Sequence, residues 1–185
     1  MQVNLVKGQK IDLTKENAGL KHLLIGLGWD VSDISSRYDL DASAFLLTDD
    51  EKAVDFVYFN NKTSIDSSVK LSGDNLTGEG SGDDETLTID LDKVSSNIKE
   101  IIISANIYDA EQRKQNFGQV RNAFIRIVDK DTQKELCKYD LDEDYSVETG
   151  VVFGRIYRHN GEWKFNAVGD GVTGGLRTLC DKYKI

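Results

Sequence analysis

Residues 71–85, Leu-Ser-Gly-Asp-Asn-Leu-Thr-Gly-Glu-Gly-Ser-Gly-Asp-Asp-Glu, concentrate oxygen donors and glycines as no other stretch of this 185-residue chain does. Between positions 71 and 92 stand seven carboxylates (Asp74, Glu79, Asp83, Asp84, Glu85, Asp90 and Asp92) and no Lys or Arg, so no cation close in sequence answers their charge. Two carboxylates about 5 Å apart repel by roughly 0.8 kcal/mol at the dielectric of water, and by several times that at a partly buried site. The chemistry this invites is binding of a hard cation. Ca²⁺ takes six to eight oxygens at about 2.3–2.6 Å in a tolerant geometry, from carboxylates, Asn amides and main-chain carbonyls alike. Gly73, Gly78, Gly80 and Gly82 suit it, because glycine adopts the positive φ that turns carbonyls toward a central ion. The spacing is not that of an EF-hand loop. The plain alternative is a solvated acidic surface loop.

A second acidic element favours the metal. In Tyr-Asp-Leu-Asp-Ala-Ser, residues 38–43, the acids Asp39 and Asp41 lie two apart at the start of an apolar run. In an extended chain such residues share a face, so both could reach one ion while Leu40 turns into the core. The acids at 142–144 could lend a further ligand, although consecutive acids in a connection are more often solvated.

The elements that must carry these residues read as strands. Apolar and polar residues alternate, or run apolar for four to eight positions, at 3–6, 9–13, 23–27, 42–47, 54–59, 86–91, 100–108, 123–128 and 135–141. Residues 151–158 and 162–168 flank His159-Asn160-Gly161, and an Asn-Gly pair between alternating strands is a strong hairpin signal. Short helical pieces are expected at 92–98, 109–117 and 176–183, with Trp29 as a core anchor and Arg121 and Arg126 exposed. About ten short strands with little helix predict an all-β sandwich of two sheets with short peripheral helices. The length predicts a single domain over 1–185. The glycine-rich lead-in at 169–175 lacks the Gly-Lys-Ser/Thr ending of a phosphate loop.

A composition of 39% hydrophobic and 30% charged residues belongs to a globular protein. The net charge of −9 and pI near 4.7 argue against a nucleic-acid surface. The N-terminal residues lack a signal-peptide pattern and no run of eighteen apolar residues follows, so a cytoplasmic protein that is not integral to a membrane is expected. Cys137 and Cys180, and likewise His22 and His159, are too scattered for a thiolate or zinc site, and two isolated thiols make a poor reductant.

Taken together, Lys7-Gly8-Gln9-Lys10, Gly26-Leu27-Gly28-Trp29-Asp30, Asp39-Leu40-Asp41-Ala42-Ser43, residues 71–85, Asn116-Phe117-Gly118-Gln119-Val120, Tyr139-Asp140-Leu141 and Gly161-Glu162-Trp163-Lys164-Phe165 resemble the TerD-type tellurium-resistance and general stress protein family along essentially the whole chain. The resemblance implies a β-sandwich binding calcium, usually two ions close together, in a bacterial cytoplasmic protein linked to tellurite and other chemical or phage stress, with no catalytic activity to transfer. Its acidic motifs fall on Asp39, Asp41, Asp74, Asn75, Asp83, Asp84 and Glu85, the residues already selected on chemistry. One departure is Val94-Ser95, where relatives commonly carry Val-Pro.

The expectation is therefore a single TerD-type calcium-binding domain, not an enzyme, with Ca²⁺ as cofactor and other proteins of a resistance complex as partners. Two rivals stand beside it. A carboxylate-dependent hydrolase needs one carboxyl in an apolar, water-poor pocket, whereas the neighbours here are Gly, Ser, Thr and acids. A calcium-bridged scaffold for a membrane-associated resistance complex is compatible with the first reading.

Overall fold

A computed structural model describes residues 3–31, 38–72 and 82–185. Two six-stranded sheets face each other. The first has the order β1-β10-β9-β3-β7-β6 and the second β2-β12-β11-β8-β4-β5. In the first sheet β1 (Val3–Leu5) lies parallel to β10 (Lys134–Asp140), and β9 (Val120–Asp129), β3 (His22–Val31), β7 (Glu85–Asp90) and β6 (Val69–Ser72) continue antiparallel. The second sheet is antiparallel throughout, through β2 (Lys10–Asp12), β12 (Glu162–Val172), β11 (Gly150–His159), β8 (Glu100–Ile107), β4 (Leu40–Leu47) and β5 (Ala53–Val57).

The period of two decides which residues go inside. Leu23, Ile25, Leu27 and Trp29 of β3 and Leu87 and Ile89 of β7 meet Leu40, Ala42, Ala44 and Leu46 of β4 and Ile101, Ile103 and Ala105 of β8 between the sheets. Trp29 is the core anchor its position suggests. The outer face of the second sheet is apolar as well: Phe45, Leu47, Ile102 and Val152 are covered by Leu179 and Tyr183 of α2 (Gly175–Tyr183). β4, apolar on both faces, is thus buried along its whole length.

The hairpin at 159–162 forms as expected, Asn160 (φ 52°) and Gly161 (φ 80°) both taking the left-handed conformation that a two-residue hairpin turn requires. Residues 92–98, expected as a short helical turn, form successive hydrogen-bonded turns instead. Residues 109–117 contain one helical turn, α1 (Ala110–Arg113). No described helix is long and apolar enough to cross a membrane.

Candidate metal site

Those of the acids read from the sequence that are described lie where the start of β7 in the first sheet meets the start of β4 in the second. Asp74 and Asn75 lie outside the described residues. The other five each have a definite place.

The ladder between β3 and β7 ends at the pair Leu27 and Glu85, and the chain just before it is held by carboxylate chemistry in place of further strand pairing. The Asp84 N–H donates to Leu27 O at 2.7 Å, and Asp84 Oδ2 accepts from Trp29 N at 2.8 Å. Asp84 is buried. Glu85 shares the inward parity of Leu87 and Ile89 and is 3% exposed. Its carboxylate crosses to the other sheet and accepts from the main-chain N–H of Ala42. β5 pairs with β4 only from Ala44 onward, so the Ala42 N–H lies beyond the end of that ladder and Glu85 takes the place of the missing strand.

Asp39 and Asp41 flank Leu40, which is in the core as its alternation implies. Asp41 is buried and shares the outward parity of Phe45, with Asn106 of β8 as its cross-strand neighbour. Tyr108 N donates to Asp39 O at 2.7 Å. Asp39 and Asp41 therefore belong to the outer face of β4, while Glu85 reaches the same strand from between the sheets. The fold brings both acidic elements to the start of β4 without putting them on one face. Among the described residues, no group of three His, Cys, Asp or Glu side chains could hold a metal ion.

Asp83 corrects the expectation that no protein cation answers this loop. Its side chain is 8% exposed, and Arg126 of β9 grips it with Nε to Oδ1 at 2.7 Å and Nη2 to Oδ2 at 2.8 Å, while Nη1 reaches Glu135 Oε2 at 3.2 Å. Hydrogen bonding from Asp83 raises the guanidinium above its ordinary value. Arg126 was expected in solvent; it is only a third exposed. Two further acids of the stretch also have cations: Asp90 pairs with Lys93 at 2.8 Å, which lowers its carboxyl from the usual value, and Asp92 pairs with Lys21 at 2.9 Å. Arg126 and Lys21 bring charge from distant sequence, whereas Lys93 follows the stretch directly.

Gly26 was the available signal for this pair. A Cβ there would lie 2.2 Å from the Asp83 carboxyl carbon, and one at Gly28 2.4 Å from the Phe124 ring. Glycines inside a strand mark a close approach, and here Asp83 lies flat on the bare backbone of β3. Beside it opens a cleft of about 630 Å³ lined by Trp29, Asp30, Gly82, Phe124, Lys138 and Asp142, among others. Asp142 of the second acidic stretch thus faces this end of the molecule, while Lys138 is paired with Asp140 at 2.7 Å.

The donor chemistry suits a hard cation: carboxylates oriented by main-chain N–H groups, with no thiol or imidazole near. Cys137 is buried, and burial pushes its thiol up to about 12. One carboxylate oxygen of each of Asp84 and Glu85 accepts a main-chain N–H.

The family model described as the TerD domain matches residues 1–183. The chain is 52% identical to Tellurium resistance protein TerD of Serratia marcescens over 189 residues, covering 100% of this chain and 98% of that protein. It is 50% identical to General stress protein 16U of Bacillus subtilis, covering 99% and 97%. Among solved structures it is similar to a homologue of telluride resistance protein (TerD) from Streptomyces coelicolor A3(2), at 25% identity and a TM-score of 0.73 over 87% of this chain and 95% of that one.

Proposed function

Because the chain belongs to the TerD domain family of tellurium-resistance and stress proteins, we propose that it is a cytoplasmic, non-enzymatic stress protein whose acidic corner binds calcium, with two ions close together. One observation carries this reading: the Glu85 carboxylate, 3% exposed, reaches out of one sheet to the Ala42 N–H of the other, one residue from Asp41. The sandwich thereby draws the acids before β7 and the acids before β4 to a single strand end. Asp39, Asp41, Asp84 and Glu85 would supply oxygens, and Asp74 and Asn75 the rest. Asp83, gripped by Arg126, would fix the chain just before β7.

Calcium there would bring positive charge to Asp39, Asp41, Asp84 and Glu85. An ion that binds only the folded state adds stability by mass action, about 2.7 kcal/mol per site at a hundred times its dissociation constant. The loaded site would also present a surface that other proteins of a resistance complex could recognise.

Thermal unfolding of chelator-stripped protein tests this. Added Ca²⁺ is expected to raise the melting temperature by several degrees, by roughly 2–4 °C per kcal/mol for a domain of this size, and the rise to shrink in Glu85→Gln. Identical melting with calcium and with chelator would contradict the proposal.

A further inference from the structure

We propose that a second site, a cleft on the outer face of the second sheet, binds a small primary ammonium group. The cleft, about 580 Å³, opens between the end of β8 and the start of α2 and is lined by Phe59, Asn106, Tyr108, Asp109, Glu111 and Gly175, among others. It adjoins the proposed calcium corner, because Asp41 is the cross-strand neighbour of Asn106, so its test is run with and without calcium.

Asn106 is the reason to expect a ligand there. The residue is 4% exposed, and its Oδ1 is fully buried with no hydrogen-bond partner. A buried acceptor left without a donor costs about 1–3 kcal/mol, and native structures rarely tolerate one without a use for it. A donor arriving in the cleft would satisfy it.

The lining sets the sign of that donor's charge. Among the described residues, Asp109 and Glu111 are the charged side chains that line the cleft, with the single cation of Arg113 at its edge over Tyr108. The N-terminus of α2 opposes them with about half a positive charge, but its Gly175 N–H already donates to Thr149 Oγ1 at 2.9 Å. Two full carboxylates outweigh the remainder, so the cleft favours a cation.

Its aromatic wall agrees. Phe59 and Tyr108 are 38% and 47% exposed, with ring centroids 6.4 Å apart and planes at 88°. Rings so disposed receive a cation on a π face, and the Arg113 guanidinium already stands 5.4 Å from the Tyr108 centroid. A primary ammonium can give one N–H to Asn106 Oδ1 while its charge, which a quaternary ammonium shares, faces the two carboxylates. A quaternary ammonium has no N–H to give Asn106. Free alkylamines and lysine side chains present the same group.

Titration of ¹⁵N-labelled protein, at saturating calcium and again with chelator, separates the possibilities, the probes being n-butylammonium, tetramethylammonium, butyrate and Nα-acetyl-lysine methylamide. Butylammonium is expected to shift the Asn106, Tyr108 and Glu111 signals saturably under both conditions and to bind about fivefold more tightly than tetramethylammonium, the worth of one hydrogen bond. Butyrate is expected to leave them unmoved. Asn106→Leu is expected to abolish the preference while retaining tetramethylammonium binding, which also shows that the variant is folded, and Tyr108→Leu to weaken both cations. Tighter binding of the lysine derivative would mark a protein-borne ligand, and tighter binding of butylammonium a free amine. No saturable shift at the cleft, equal affinity for the two cations, or a preference that survives Asn106→Leu would overturn the proposal.

Discussion

At the scale of single residues, carboxylates hold this sandwich together where strand pairing stops. Asp66 shows it most fully. Burial alone would raise its carboxyl, but hydrogen bonds from the Ser68 and Ser64 hydroxyls and from Ser68 N and Ser95 N bring it down to about 2. The Ser95 N–H, which a proline there would lack, donates to Asp66 Oδ2 at 2.9 Å. A carboxyl depressed from about 3.9 in the unfolded chain stabilises the fold fully above that value, and the contribution is lost as pH falls toward 2. Discounted for solvent screening, it amounts to about 1 kcal/mol. Asp66→Asn should therefore be less stable than the parent by about that much at pH 7 in urea unfolding, with the difference closing near pH 2. Arg126→Met makes a sharper case, because it leaves the Asp83 carboxylate, 8% exposed, without its bidentate partner. Breaking a buried pair costs roughly 3–5 kcal/mol, and since Arg126 is a third exposed about 2 kcal/mol is expected, read as a lower urea midpoint at unchanged slope.

At the scale of elements, the strands were legible because their burial follows a period of two, as in Leu87 and Ile89 of β7 and Leu23, Ile25 and Leu27 of β3. The β11–β12 hairpin was legible from two residues. Gly161→Ala, which forces a side chain into φ 80°, should lower stability by about 1–2 kcal/mol in the same urea assay, while Asn160→Gly should be near neutral. Contacts that join elements distant in sequence were not legible. Nothing near residue 83 in the sequence announces Arg126, forty-three positions on, because only the β3–β9 register of Gly26 opposite Arg126 puts the guanidinium over that glycine. The reach of Glu85 to Ala42 likewise depends on where β5 ends. Composition identified the acids; topology decides which of them a protein cation has already claimed. The helical turn expected at 92–98 failed for a related reason, since Ser95 N is drawn to Asp66 and Asp90 is drawn to Lys93.

For the whole molecule, the two sheets and α2 frame a corner where Asp41, Asp84 and Glu85 are buried, in a chain of net charge −9. That distribution suits attraction of a cation, and the central claim is that the cation is calcium. Isothermal titration of the chelator-stripped protein with Ca²⁺ and, separately, Mg²⁺, repeated on Asp41→Asn and Glu85→Gln, tests it most directly. Arg126→Met serves as a control that disturbs the Asp83 pair without removing a proposed ligand. The account predicts saturable calcium binding near two ions per chain, weaker magnesium binding because that ion demands a stricter octahedral geometry, and affinity reduced at least about tenfold in each ligand variant, the 1.4 kcal/mol expected from losing one charged donor. No heat with calcium, or binding unchanged in both ligand variants, would contradict it.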